Sequence, residues 1–261
     1  MSDSRELAFA KELAEAAGTV MRKHFRSNSI GTTFKADKSP LTIADTTINQ
    51  MVLDAVKKEF PDHTVISEEG SLDQGGDYRW LCDPVDGTLP YSLGMPISSF
   101  TLALAHKGRV MLGVIYDPFG DRLMWSQGGK GAFLNGTQLQ QSSPAPGSKL
   151  VANIEVWDEG HARFLEEFKG PDRVPLCLCS VAYSTMLVAS GAMQLVVFSG
   201  KQPWDTAAAS LIITEAGGRV SDLHGRPADY SAGVEGFLGA HPAVYDEALA
   251  MVRKARIWQQ A

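Results

Sequence analysis

A chain of 261 residues with 44% hydrophobic content holds enough apolar material for one large packed domain or two small ones. Its 24 Lys and Arg against 30 Asp and Glu leave a net charge of −6 with no basic run, which argues against nucleic acid as the main partner. No apolar stretch reaches bilayer length, and Met1-Ser2-Asp3-Ser4-Arg5-Glu6 lacks the basic-then-apolar pattern of a signal peptide, so no membrane role and a cytoplasmic location are expected. Cys82, Cys177 and Cys179 are too few and too scattered for a disulfide framework or a zinc site, and Cys177 and Cys179 are expected as buried thiols sharing one strand face.

In chain order, Leu7, Ala10, Leu13, Ala17, Val20 and Met21 fall at helical spacing, as do Ile48, Met51, Val52, Ala55 and Val56, which predicts two long helices before Phe60. Val65-Ile66-Ser67 reads as a short strand running into Glu68 and Glu69. The apolar run that begins at Trp80 and is stopped by Pro84 reads as a buried strand whose end turns sharply, after which the Gly87-Thr88 step can open a helix. Phe100 to Ala105 and Val110 to Tyr116 flank Lys107-Gly108 as a hairpin, with Leu123 to Trp125 beside it. The polar, Pro-rich and Gly-containing stretch Ser142 to Ser148 divides a half at 1–143 from a half at 144–261. Beyond it, short strands near Leu150, Leu176, Val196 and Leu238 alternate with helical stretches, giving a mixed α/β (α+β) protein. Pro203 to Ala209 opens an apolar helix that closes at Glu215-Ala216-Gly217-Gly218.

The chemistry is concentrated in Asp83-Pro84-Val85-Asp86-Gly87-Thr88. Two carboxylates and a carbonyl suit a hard cation such as Mg²⁺, and free N–H groups at a helix start suit a phosphate. Alone, a D-x-x-D spacing is weak, because acids near a turn are ordinarily solvated turn formers. Three further acidic turns change its weight: Glu68-Glu69-Gly70, the stretch from Lys35 to Asp45, and Trp204-Asp205. The six histidines show no paired ligand spacing, and neither a C-x5-R loop nor a G-x-x-x-x-G-K-[ST] loop occurs.

With Ser39-Pro40-Leu41-Thr42-Ile43-Ala44-Asp45, Glu68-Glu69-Gly70, Asp83 to Thr88, the hairpin Gly129 to Gly136 and Trp204-Asp205 through Gly218 in this order, the chain resembles the inositol monophosphatase family. That is a group of Mg²⁺-dependent, lithium-sensitive sugar and polyol phosphatases. The resemblance implies a layered α-β-α-β-α sandwich with the active site where the two halves meet. It implies two or three Mg²⁺ ions held by Glu68, Asp83, the Val85 carbonyl, Asp86 and Asp205, an oxygen set that hard ions favour. It further assigns Asp45 and Thr88 to a pair that orients and deprotonates the attacking water, Glu68 to the water-activating metal, and the Gly87 and Thr88 N–H groups to phosphate. A homodimer acting on a small phosphorylated substrate is the family's pattern.

Departures from that pattern fall on the alcohol side. The acid that family members commonly carry seven positions before the aspartate of the W-D pair is Phe198 here. The R-x-x-G-[ST]-A segment reads Cys179-Ser180-Val181-Ala182-Tyr183-Ser184, and Leu89-Pro90-Tyr91 follows D-G-T. Ala182, Tyr183 and Phe198 are therefore the candidate lining of the alcohol pocket. Histidinol-phosphatase, fructose-1,6-bisphosphatase and 3′(2′),5′-bisphosphate nucleotidase activities stay open beside the polyol phosphatase, as does a regulatory binding protein without catalysis.

Overall fold

The computed structural model describes residues 3–26, 31–36, 39–140, 148–157 and 159–257. Helix α1 (Arg5–His24) starts at Ser4, whose hydroxyl accepts from Leu7 N, and buries Leu7, Ala10, Leu13, Ala14, Ala17 and Met21 along one stripe. A two-residue pair, β1 (Thr33–Phe34) and β2 (Pro40–Leu41), leads into α2 (Ile43–Glu59). Both expected helices are present.

The first half then builds β3 (Thr64–Ser67), β4 (Tyr78–Asp86), the short helix α3 (Thr88–Ser92), β5 (Ser99–His106), β6 (Arg109–Asp117), β7 (Arg122–Gln127), β8 (Ala132–Leu134) and β9 (Thr137–Leu139). The seven strands form one sheet in sequence order, antiparallel throughout except for the parallel pair of β3 and β4. Pro84 does not end β4. The ladder to β5 shifts register between Asp83 and Asp86, and the proline, which lacks an N–H, sits within that irregularity. Glu215 fastens the turn after β7, accepting from Gly129 N and Gly131 N at 2.7 Å each.

The second half supplies β10 (Leu150–Glu155), α4 (Gly160–Glu167), β11 (Arg173–Leu176), α5 (Val181–Ala189), β12 (Leu195–Phe198), α6 (Pro203–Glu215), β13 (Arg219–Ser221), β14 (Phe237–Ala240) and α7 (Pro242–Ala255). Its five-stranded sheet has the order β11-β10-β12-β14-β13. Strand β13 carries no sequence signal because it is three residues long. The expected division at 143/144 lies outside the described residues.

Five layers result. Helices α1 and α2 cover the outer face of the large sheet, α5 and α6 lie between the two sheets, and α4 and α7 cover the outer face of the small one. Small residues allow the central contact: a Cβ added at Gly113 of β6 would come 2.8 Å from Ala208 Cα of α6. The expected α-β-α-β-α sandwich is the observed one. No helix among the described residues is long and apolar enough to cross a membrane.

Candidate active site

Strand β4 is buried from Trp80 to Asp86 and delivers both aspartates to one end of the large sheet. Asp83 Oδ1 accepts from Val85 N at 3.0 Å. Gly87 follows in the left-handed region, with φ 85, and caps α3. Only glycine fits there for a second reason: a Cβ would meet Ser180 Cβ at 3.0 Å and Cys179 O at 3.1 Å. Tyr91 ties α3 to α1 by donating its hydroxyl to Met21 O at 2.7 Å.

Thr88 Oγ1 lies 2.9 Å from Val85 O and 3.2 Å from Asp45 Oδ1, so its single proton serves one of the two at a time. Asp45 stands in the first turn of α2, where its Oδ2 accepts from Thr42 N at 2.8 Å and from the Thr42 hydroxyl. The helix start therefore holds one carboxylate oxygen and presents the other to Thr88. Asp86 faces α5: Ser180 Oγ and Ala182 N, the latter at 3.2 Å, both donate to its Oδ1. Asp205 occupies the first turn of α6 behind Pro203. Glu68, just past β3, pairs with Lys35 Nζ at 2.6 Å, and the same ammonium pairs with Glu69.

These carboxylates act on one another. Burial pushes Asp83 well above the usual carboxylate range, and the charges of Glu68, Asp86, Asp205 and Asp45 push it further. Asp205 is raised likewise, by burial and then by Asp86, Glu68 and Glu155, with Lys35 in opposition, although the residue keeps some solvent contact. Asp86 rises to about 8 through burial and Glu155, although its bonds from Ser180 and Ala182 pull it down. Asp45 rises to about 6 through burial, against the Thr42 hydrogen bonds. Burial disfavours the Lys35 ammonium, but its bonds to Glu68 and Glu69 and their charges outweigh that and raise it. A buried array of like charges needs protons or a cation. Its all-oxygen donors match a hard divalent ion. Among the described residues no three His, Cys, Asp or Glu side chains stand in closed ligating geometry.

Of the three residues expected to line an alcohol pocket, Ala182 contributes its N–H to Asp86. The Tyr183 ring lies 4.8 Å from the Arg122 guanidinium. Phe198 is buried among Val181, Val188, Ala209 and Phe237. Cys177 and Cys179 depart from expectation: neither lies in a strand, Cys177 is exposed and Cys179 is half-buried with φ 55, their sulfurs 3.8 Å apart. β11 stops at Leu176 because the chain must turn back to reach Ser180, the N-cap of α5. Sequence reasoning quoted Lys35 and Ser180 within its motifs without giving either a role, and it missed Asn153 and Glu155 altogether. The last two were detectable as polar residues alternating within the apolar run Leu150 to Val156.

A cleft of about 690 Å³ lies elsewhere, at the far end of α6, lined by residues including Arg109, Gln127, Glu215 and Tyr230, and contains none of the clustered carboxylates.

The sequence matches the inositol monophosphatase family over residues 3–257. It is 31% identical over 217 residues to a fructose-1,6-bisphosphatase/inositol-1-monophosphatase of Thermotoga maritima, covering 83% of this chain and 84% of that one. A histidinol-phosphatase of Chlorobaculum parvum is 33% identical over 246 residues, covering 92% and 93%. A solved Thermotoga maritima IMPase superposes with a TM-score of 0.87 at 29% identity, covering 97% of this chain and 98% of that one. With its layers, its clustered carboxylates and these relatives in agreement, the chain belongs to the inositol monophosphatase family and is a phosphoric monoester hydrolase.

Proposed function

We propose that this protein hydrolyses a small polyol or sugar phosphate with Mg²⁺ as its cation. The observation that carries the reading is the convergence of Asp83, Asp86, Asp205 and Glu68 beside a Thr88–Asp45 pair at the end of β4. Glu68, Asp83, the Val85 carbonyl, Asp86 and Asp205 would hold the ions. When bound, two or three Mg²⁺ ions supply positive charge against the phosphate and lower the pKa of water. Thr88 Oγ1 orients the attacking water and passes its proton to Asp45 Oδ1, the carboxylate oxygen that the Thr42 donors do not engage. The Gly87 and Thr88 N–H groups receive phosphate oxygens.

The alcohol is a separate matter. Phe198 offers no acceptor to a ring of hydroxyls, so inositol 1-phosphate is not expected to lead other monoesters by a large margin. The names of the two relatives make fructose 1,6-bisphosphate and histidinol phosphate the first compounds to try. A homodimer, lithium inhibition and a cytoplasmic location belong to the same reading.

Phosphate release from inositol 1-phosphate, histidinol phosphate, fructose 1,6-bisphosphate, adenosine 3′,5′-bisphosphate and glycerol phosphate, each with Mg²⁺ and with EDTA, tests it. Turnover of one compound that EDTA abolishes is the expected result, with Asp83→Asn lowering it at least about a hundredfold, the scale of losing several kcal/mol of charge stabilisation. A folded protein that turns over none of them would favour a binding role.

A further inference from the structure

Two buried polar residues of β10 have no part in the reaction outlined above. Side chains alternate along a strand, and Ala152, Ile154 and Val156 join the outer cluster beneath α4 and α7. Asn153 and Glu155 therefore face inward, toward α5, and are 0% and 3% exposed. Asn153 Nδ2 donates to Glu155 Oε1 at 2.5 Å, and Ser180 N donates to the same oxygen at 3.0 Å. Asn153 Oδ1 accepts from Leu178 N at 2.8 Å. The pair thus holds two backbone N–H groups of the turn that joins β11 to α5. Ser180 passes the constraint on, since its hydroxyl donates to Asp86.

Glu155 also pairs in register with Phe198 on the neighbouring parallel strand, and both side chains face the central helices. A carboxylate therefore stands one strand away from Phe198, and it is directed at the turn. Burying a carboxylate is costly unless donors satisfy it, and here the donors are the turn itself.

We propose that Glu155, seconded by Asn153, is a positioning residue of the phosphatase site: it fixes the 177–180 turn so that Ser180 and Ala182 hold Asp86 in its working orientation. The inference rests on the phosphoryl-transfer reading, and its test includes readouts independent of turnover.

Wild type, Glu155→Gln, Glu155→Leu, Ser180→Ala and the double variant Glu155→Leu/Ser180→Ala would be compared in three ways. These are amide hydrogen exchange without metal, the Mg²⁺-induced rise in melting temperature, and kcat and KM on the best substrate. Glu155→Leu is expected to speed exchange at residues 178–182 by about tenfold or more while leaving β5 and β6 protected, because only the local opening changes. It should also cut the Mg²⁺-induced rise and lower kcat/KM by about tenfold, the cost of one misplaced group. Glu155→Gln keeps an acceptor oxygen and should restore most of each value. In kcat/KM the double variant should lose clearly less than the product of the two single losses, because Glu155 acts in part through Ser180, whereas its exchange at residues 178–182 should follow Glu155→Leu.

Additive losses in the double variant, or a Gln variant as impaired as the Leu variant, would overturn the proposal. If Glu155→Leu does not fold, Asn153→Ala takes its place, with faster exchange at Leu178 expected and unchanged exchange there fatal to the idea. A wild-type protein without Mg²⁺-dependent turnover would sink the phosphatase reading. The exchange pattern and the Mg²⁺ shift would still decide whether Glu155 acts through Ser180.

Discussion

Asp45 is fully enclosed, yet it sits in the first turn of a helix, where two donors from Thr42 and the helix dipole favour its charge. Burial still wins and lifts it from 3.8 to about 6. The folded protein therefore binds this proton more tightly than the unfolded chain does. The resulting stability is complete below about pH 4 and is lost as pH rises toward 6. Glu155, raised to about 7 by burial against the bonds from Asn153 and Ser180, extends the decline upward. In EDTA the melting temperature is expected to fall between pH 5 and pH 8, and added Mg²⁺ should recover more of it at pH 8 than at pH 5. Asp45→Asn should flatten the lower part of that slope, a change of about 1.4 kcal/mol above pH 5 out of roughly 3 kcal/mol for the whole shift. A melting temperature that rises steadily over the same range in EDTA would contradict the cluster's electrostatics.

Among the elements, the hairpin of β8 and β9 shows how local sequence sets a shape. Asn135 and Gly136 both take positive φ, 47 and 81, the pair of conformations that matches the twist of a two-residue turn. Gly136→Val is expected to destabilise by about 1–2 kcal/mol through left-handed strain, read from the denaturation midpoint. Glu215 acts over a longer distance. Replacing it with Ala leaves the Gly129 and Gly131 N–H groups without their charged acceptor and should cost about 1–2 kcal/mol, because the contacts are partly solvated. The helices and most strands were legible because their apolar periods are long and regular. β13 was not, since three residues are too few to show a period, and the path of β4 through Pro84 depended on a register shift that only pairing with β5 creates.

For the whole molecule, α5 and α6 decide cohesion. They belong to the second half of the chain but pack on β4, β5 and β6 as well as on β14, so neither sheet has a complete core without them. Unfolding of the metal-free protein is expected as one transition, with far-UV and near-UV signals coincident in denaturant. Separated curves would mean that the two sheets open independently. The same layer makes the site: Asp205 rides on α6 and Ser180 caps α5, while Asp83 and Asp86 end β4.

The sequence alone determined the types of residue at the site and the elements that bear them, because carboxylates at strand and helix ends, glycine after Asp86 and helical apolar periods are local patterns. It also carried the family, through motifs spread from Ser39 to Gly218. Tertiary structure decided which groups meet. Asp86 and Ser180 lie 94 positions apart, Lys35 and Glu68 33 apart, and Glu155 and Ser180 25 apart, and no local pattern encodes such pairings. They exist because sheet register and helix packing fix each side chain's position relative to residues distant in the chain, which is why the acidic motifs could be read from the sequence and the support of Asp86 could not.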